Sequence, residues 1–401
     1  MVYQEIEGKS QIYIKFFIGL AITLTVGLLS AYYMEHNGHI VTGMNNQIVW
    51  GLPHVFAIFL IVAASGALNI ASIASVFGKT SYKPLAPLSG LLAISLLLGG
   101  LTILVLDLGR PDRLIVAMTN YNFKSIFAWN IILYNGFLVI VAAYLWMMME
   151  KRFNKYSHHV GLVAFVWRLI LTTGTGSIFG FLVAREAYDA AVLAPMFIVM
   201  SFSFGLAIFI LVLYGAYHWT GRPIGNYTIR KLKNLLGVFV AGVVLLVMIF
   251  HITNLYAAEH GSVEEFMLSG SGYAVLFWLF QILLGSVLPL IFFYHPNFCC
   301  QIKYTLYGAG LVILGGMTQV YIIVIGGQAF PLQLFPEYDV ISSSFFDGQI
   351  ASYTPTLPEL LLGIGGVSLA GLIVLIAVKI LKFLPNSLAD KDINPHYKAV
   401  E

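Results

Sequence analysis

Charge is what this 401-residue sequence has least of. Asp, Glu, Lys and Arg together make up 10% of it, less than half the ~25% of an ordinary soluble domain. Apolar residues reach 59%. So few charges cannot cover the surface of a water-soluble enzyme of this length, and that class is excluded. Cysteine is almost absent: Cys299 and Cys300 are the only two, and they are adjacent. A disulfide scaffold is therefore ruled out, and an iron–sulfur cluster would lack its usual set of about four thiolates. The 38 glycines show no triplet period and the 14 prolines are scattered, which removes collagen and low-complexity disorder. No Walker or dinucleotide fingerprint occurs in a strand-to-helix setting. Bis-histidine haem needs facing histidines at matching depth, and His54 with His251 is the one pair compatible in position. No metal is expected in the chain.

What is present in abundance is long apolar runs. A bilayer core of ~30 Å takes about 20 helical residues to cross, and ten runs of that kind stand between polar punctuation, with approximate limits 12–32, 52–77, 86–106, 126–148, 160–184, 191–217, 235–258, 272–294, 304–326 and 358–382. Unbroken stretches such as LLGVFVAGVVLLVMIF do not suit the alternating strands of an outer-membrane barrel. The fold class expected is an all-α polytopic membrane protein, one integral domain over 1–401. The first run follows a polar start without a small-residue cleavage site, so it reads as a retained helix.

Threading the chain through ten spans places most of its 21 basic residues on the side of the N-terminus. By the positive-inside rule both termini are then cytoplasmic. The exceptions are Arg110, Arg113, Lys124 and Arg185 on the opposite side, and Arg168 inside a span. Acidic residues lean outward: Glu35, Asp107, Asp112, Glu186, Asp189, Glu259, Glu264, Glu265, Glu337, Asp339, Asp347 and Glu359. The longest loop, about 327–357, lies outside and carries Pro331, Pro336 and Pro355. No loop is long enough to hold an extramembrane catalytic domain, so chemistry is expected among the helices or on a partner.

Ionisable groups at membrane depth are costly and mark functional candidates. The densest group is LDLGRPDR at 106–113, followed by NYNFKSIFAWN at 120–130. Asp107 closes the third span, Gly109 and Pro111 break the helix, and Arg110, Asp112 and Arg113 stand where guanidinium and carboxylate can pair in bidentate fashion. Ser125 and Trp129 share a face of the fourth span. A salt-bridged turn with an interfacial Trp is the plain alternative for the whole segment. The second span opens with Trp50, Pro53 and His54 at the same outer boundary, and antiparallel packing brings His54 toward Asp107. Such a pair can bond carbonyl oxygens or exchange protons; a packed interfacial histidine is the other reading. Helix packing also explains TTGTGSIFG at 172–180. Arg168 is free to snorkel or to pair inside the bundle. His251 and Asn254, with Glu259 and His260 beyond them, form a second polar group open to either a proton path or simple structural bonding. Gln281 and Gln319 read as interhelical hydrogen bonds.

Together these residues resemble the NrfD/PsrC family of quinone-interacting membrane subunits. The segment from Trp50 to Phe77 is similar to the family's opening helix, Asp107-Leu108-Gly109-Arg110-Pro111 to its most specific signature, and Ser125 with Trp129 to the residues that follow it. The run at 174–180, then Pro195 and Gly205, resembles the next block. Ten spans suit the longer branch, and the wording looks closest to DsrP of DsrMKJOP complexes, with HybB-like relatives next. The resemblance implies two four-helix bundles, 52–184 and 191–326, flanked by 12–32 and 358–382. It implies a quinone (menaquinone or ubiquinone) near the outer face of a bacterial or archaeal cytoplasmic membrane, with no haem or iron–sulfur cluster in this chain. A periplasmic iron–sulfur (DsrO-like) subunit would exchange electrons there, in dissimilatory sulfur metabolism. By position, His54, Asp107, Ser125 and Trp129 become quinone or proton-exchange residues. Arg110, Asp112, Arg113 and Lys124 become the docking turn. A proton path through Arg168, His251, Asn254 and Glu259, a secondary transporter, and a passive anchor remain alternatives.

Overall fold

The computed structural model describes residues 2–331, 348–395 and 397. Pro336, Glu337, Asp339 and Asp347 of the outer loop, and Lys398 of the C-terminal tail, lie outside the described residues. Among the described residues ten helices are long and apolar enough to cross a membrane: α1 (Gln11–Asn37), α2 (Leu52–Ser75), α3 (Thr80–Leu106), α4 (Ile126–Met149), α5 (Asn154–Gly180), α6 (Leu193–Thr220), α7 (Asn226–Tyr256), α8 (Gly272–Tyr294), α9 (Ile302–Ala329) and α10 (Leu357–Ile380). The chain is an all-α polytopic membrane protein.

Several helices outrun the apolar stretch that announces them. α7 starts at Asn226, well before 235, because Asn226, Arg230, Lys231 and Lys233 interrupt the apolar run on a backbone that still gains helical hydrogen bonds. An apolar run measures bilayer thickness, whereas a helix ends where its backbone loses partners or meets a breaker. Prolines mark several starts: Pro53 and Pro358 occupy the first turns of α2 and α10, and Pro87 the first turn of the regular α-helical part of α3, Ala86–Leu106, where the missing N–H costs nothing. Pro289 lies deeper, in α8. Ahead of it, Leu276–Val287 adopts π-helical bonding, and Ser286 Oγ donates to the Gln281 carbonyl five residues back. The wider turn suits a chain that must bypass a residue with no amide hydrogen.

Packing follows chain order within each half. α2 packs on α3, α3 on α4, α4 on α5, and α5 returns to α2; α6 packs on α7, α8 on α9, and α9 returns to α6. The halves meet where α6 lies against both α2 and α5. α10 inserts against α2 and α3 and carries α1 on its other side. The α2–α6 crossing depends on glycine. A Cβ on Gly66 would overlap the Ser201 carbonyl oxygen, and one on Gly205 would overlap the backbone at Ala67. With little hydrophobic force between helices in lipid, such close backbone approach supplies the packing.

Both ends of the described chain close at one face. β1 (Tyr3–Gln4) pairs antiparallel with β2 (Leu384–Pro385), Tyr3 opposite Pro385. Arg222, from the turn after α6, donates to the Gln4 and Glu5 carbonyls at 3.3 and 2.8 Å.

Candidate functional site

At the opposite face α2 begins and α3 ends, and this brings His54 and Asp107 together. His54 Nδ1 lies 2.7 Å from Asp107 Oδ2, with the His54 side chain 18% exposed and that of Asp107 fully buried. The approach is close, yet neither atom reaches ordinary hydrogen-bond geometry, and Asp107 Oδ1 has no partner either. A buried carboxylate left with a free acceptor is costly unless something satisfies it. The pair is placed by local chain chemistry. Asp107 caps α3 with its amide on the Ile103 carbonyl, and Gly109 then turns the chain at φ +69°. A side chain at 109 would also meet His39 Nε2 at 2.8 Å, so glycine is required there on two grounds.

One aromatic ring covers the histidine, and two more pack behind that ring. Trp50 stacks on His54 with centroids 6.3 Å apart, and Phe127 and Phe179 each lie 5.9 Å from Trp50. The helix face of α4 that reaches this wall therefore belongs to Phe127. Ser125 sits half-buried at the N-cap of α4 without a side-chain cap bond. Trp129 turns outward: it is 45% exposed, its indole N–H donates to the Phe123 carbonyl at 2.9 Å, and its ring meets Phe123. That is the posture of an interfacial anchor.

Beside the pair runs the exposed turn. Arg110 donates from Nε and Nη2 to the two oxygens of Asp112, both at 3.1 Å, which is the bidentate geometry the sequence suggests. Arg110 holds the Asp112 carboxyl below its ordinary range, first through that hydrogen bond. Arg113 and Lys124 make no ion pair among the described residues and point to solvent. Arg185, the remaining outer cation, is a staple: it donates to the carbonyls of Gln328 and Gln47, each at 2.9 Å. Gln328 in turn accepts from the Val49 and Trp50 amides and donates to the Trp50 carbonyl. The entry to α2 is thus fixed from α9.

In the sequence Glu359 stands only as one more outer acid. In the fold it is fully buried and accepts from the Gly43 amide, the Tyr353 hydroxyl and Thr356, while Tyr353 Oη accepts from the Leu52 amide at 2.6 Å. The Thr356-to-Glu359 capping-box spacing is the signal that could have marked it.

The second polar group differs from the expected one. His251 Nδ1 donates to Glu264 at 2.6 Å and Asn254 Nδ2 donates to its other oxygen at 3.0 Å, so Glu264, 1% exposed, is the acid of this cluster. Glu259 has a side chain 81% exposed and comes only within 3.8 Å of His260. Gln281 and Gln319 line a cavity of about 40 Å³ next to His251 and Glu264, room for one to three waters. Arg168 is 1% exposed, with its guanidinium 5.0 Å above the rings of Phe165 and Phe202, Nη1 on the Ser65 carbonyl at 3.3 Å and no ion pair to an acid among the described residues. It bonds to neither histidine–carboxylate pair and is held instead by π-faces and a carbonyl.

One family and three relatives give this geometry a context. A family model described as polysulphide reductase, NrfD, matches residues 40–332. The chain is 27% identical over 395 residues to an Hdr-like menaquinol oxidoreductase integral membrane subunit of Archaeoglobus fulgidus, covering 97% of this chain and 98% of the relative. It is 26% identical to a putative dimethyl sulfoxide reductase membrane subunit of Halobacterium salinarum, covering 93% and 91%. To a selenate reductase subunit of Mesobacillus selenatarsenatis it is 24% identical, covering 91% and 93%.

Proposed function

The chain belongs to the polysulphide reductase NrfD family, and from that premise we propose that it is the quinone-interacting membrane subunit of a multi-subunit redox complex, with its site at His54 and Asp107. The observation that carries the reading is the 2.7 Å approach of these two side chains, one of them a buried carboxylate with an unpartnered oxygen. The donor set suits a quinone: an imidazole for a carbonyl or hydroxyl oxygen, a carboxylate behind it, and the rings of Trp50, Phe127 and Phe179 for a flat apolar head. A bound quinol would supply two electrons, to the docked subunit, and two protons, one to the imidazole of His54 and one from its other oxygen to water at the site's mouth. The imidazole of His54 takes a proton at the ligand oxygen, and Asp107 orients the ring and stabilises its protonated form. Trp50 keeps water from the imidazole face. Ser125 caps α4 at the edge of the site, Trp129 anchors the same helix end at the membrane boundary without facing His54, and Arg110, Asp112, Arg113 and Lys124 form the turn on which an electron-accepting or electron-donating subunit docks.

Finer assignments belong to the same reading. The partner is a periplasmic iron–sulfur subunit in a DsrMKJOP-like assembly of sulfur metabolism, the membrane is the cytoplasmic one with both termini inside, and α2–α5 and α6–α9 act as two bundles flanked by α1 and α10. What supports these is the DsrP-like wording of the two signature segments and the basic-residue bias.

Asp107→Asn and His54→Ala in the intact complex test the site. Quinol-linked electron transfer should fall at least about a hundredfold in each, the low end of general acid–base contributions, while electron transfer among the soluble subunits from an artificial donor is unchanged. Full quinol-linked activity in both variants would overturn the assignment and leave a passive anchor. Substrate flux by the purified chain in vesicles, with no redox partner, would instead point to a transporter.

A further inference from the structure

At the face that carries both ends of the chain, a cavity of about 740 Å³ opens between the ends of α2, α3, α4, α5 and α10, with Tyr3 of β1 at its edge. We propose that this cavity binds the phosphate headgroup of one anionic phospholipid. Among the described residues its lining includes Lys83, Lys382 and His158 and no carboxylate, and neither lysine makes an ion pair, so two cations face one concavity with no counter-charge among those residues. His158 is fixed at the wall: its Nδ1 donates to the Ser75 carbonyl at 2.8 Å, and Nε2 can donate to an anion only when the ring carries its second proton.

Lipid, and not a free anion, follows from what surrounds the charges. Met149, Ile380 and Leu381 line the same cavity and are 39%, 67% and 44% exposed. They end membrane-length helices, so an apolar surface runs from the basic floor toward the level of the acyl chains. Cations beside exposed methyl and thioether groups at a helix end match a phosphodiester joined to hydrocarbon. A soluble phosphate would have no use for the second surface. The inference is independent of the quinone reading, since no residue is shared between the two sites.

The experiment uses the full chain extracted with its accompanying subunits. Native mass spectrometry follows retention of added phosphatidylglycerol against phosphatidylcholine. Phosphatidylglycerol should be retained in preference, Lys83→Ala and Lys382→Ala should each weaken it about fivefold, and Lys83→Arg with Lys382→Arg should preserve it. Equal retention of the two lipids by the unmodified protein would overturn the proposal even where an alanine variant fails to fold. So would undiminished phosphatidylglycerol binding in a folded double-alanine variant. Displacement by millimolar inorganic phosphate would assign the cavity to a free anion, and cross-linking of Lys83 to another subunit would assign it to a protein contact; either result overturns it.

Discussion

Several buried side chains at membrane depth in this protein are satisfied by partners that sequence spacing does not reveal. Glu264 joins His251 and Asn254 across a turn that separates α7 from α8. Replacing it with alanine strands two buried donors, each at a cost of about 1–3 kcal/mol. Glu264→Ala should therefore lower the thermal midpoint in detergent by several degrees while Glu259→Ala does not; equal midpoints would show the cluster to be unimportant for stability. Arg110 and Asp112 behave differently because both are exposed. The pair depresses the Asp112 pKa, so its contribution is present above the unfolded carboxylate range and is lost as pH falls through the lowered value. In Arg110→Ala, Asp112 should titrate as an ordinary carboxylate by carbon-detected NMR, with the thermal midpoint nearly unchanged. An Asp112 titration that does not move would mean that the hydrogen bond does not govern its charge.

At the scale of helices, packing is decided by where two backbones touch. α2 and α6 cross at Gly66 and Gly205, whose absent side chains admit Ser201 and Ala67 of the opposite helix. Gly66→Ala or Gly205→Ala forces the helices apart at a cost of about 1–3 kcal/mol or more, whereas Gly310→Ala, with nothing within 4 Å of the new methyl, should be neutral. Thermal unfolding of the three variants in one detergent separates these outcomes, and three equal midpoints would remove the crossing from the account of stability. The same crossing joins the half that holds His54 to the half that holds His251, so its loosening should also reduce quinol-linked turnover. α8 shows a second kind of control: Pro289 lies just beyond π-helical turns, and the wider spacing brings Gln281 to the cavity beside His251.

For the molecule as a whole, orientation is the property with the widest consequence. The basic bias places Cys299 and Cys300, between α8 and α9, on the same side as the chain ends. An impermeant maleimide added to intact spheroplasts should leave exposed Cys300 unlabelled, and label it after permeabilisation. Ile40→Cys, on a residue 89% exposed at the opposite face, should label at once. The reverse pattern would invert the protein and move the His54–Asp107 site to the cytoplasmic surface. The clasp of β1 on β2 with Arg222 ties the two chain ends together. Arg222→Ala should accordingly expose both termini to protease sooner while leaving quinol-linked turnover intact.

Ten membrane-length helices and their all-α class were legible from apolar run length, because a bilayer imposes one dimension on every crossing and demands internal backbone bonding. His54 and Asp107 were legible as neighbours for a related reason: both stand at span ends on the same side, and consecutive antiparallel helices meet. The tertiary structure alone decided which acid serves His251, how Arg185 and Gln328 fix the entry to α2, and that Trp129 faces outward while Phe127 faces Trp50. It also decided that Glu359 is buried and that Lys83, Lys382 and His158 share a cavity. Each of these depends on contacts between segments far apart in the chain or on rotation about a helix axis. Apolar composition on all sides of a membrane helix leaves that rotation unspecified, and only packing against neighbours sets it.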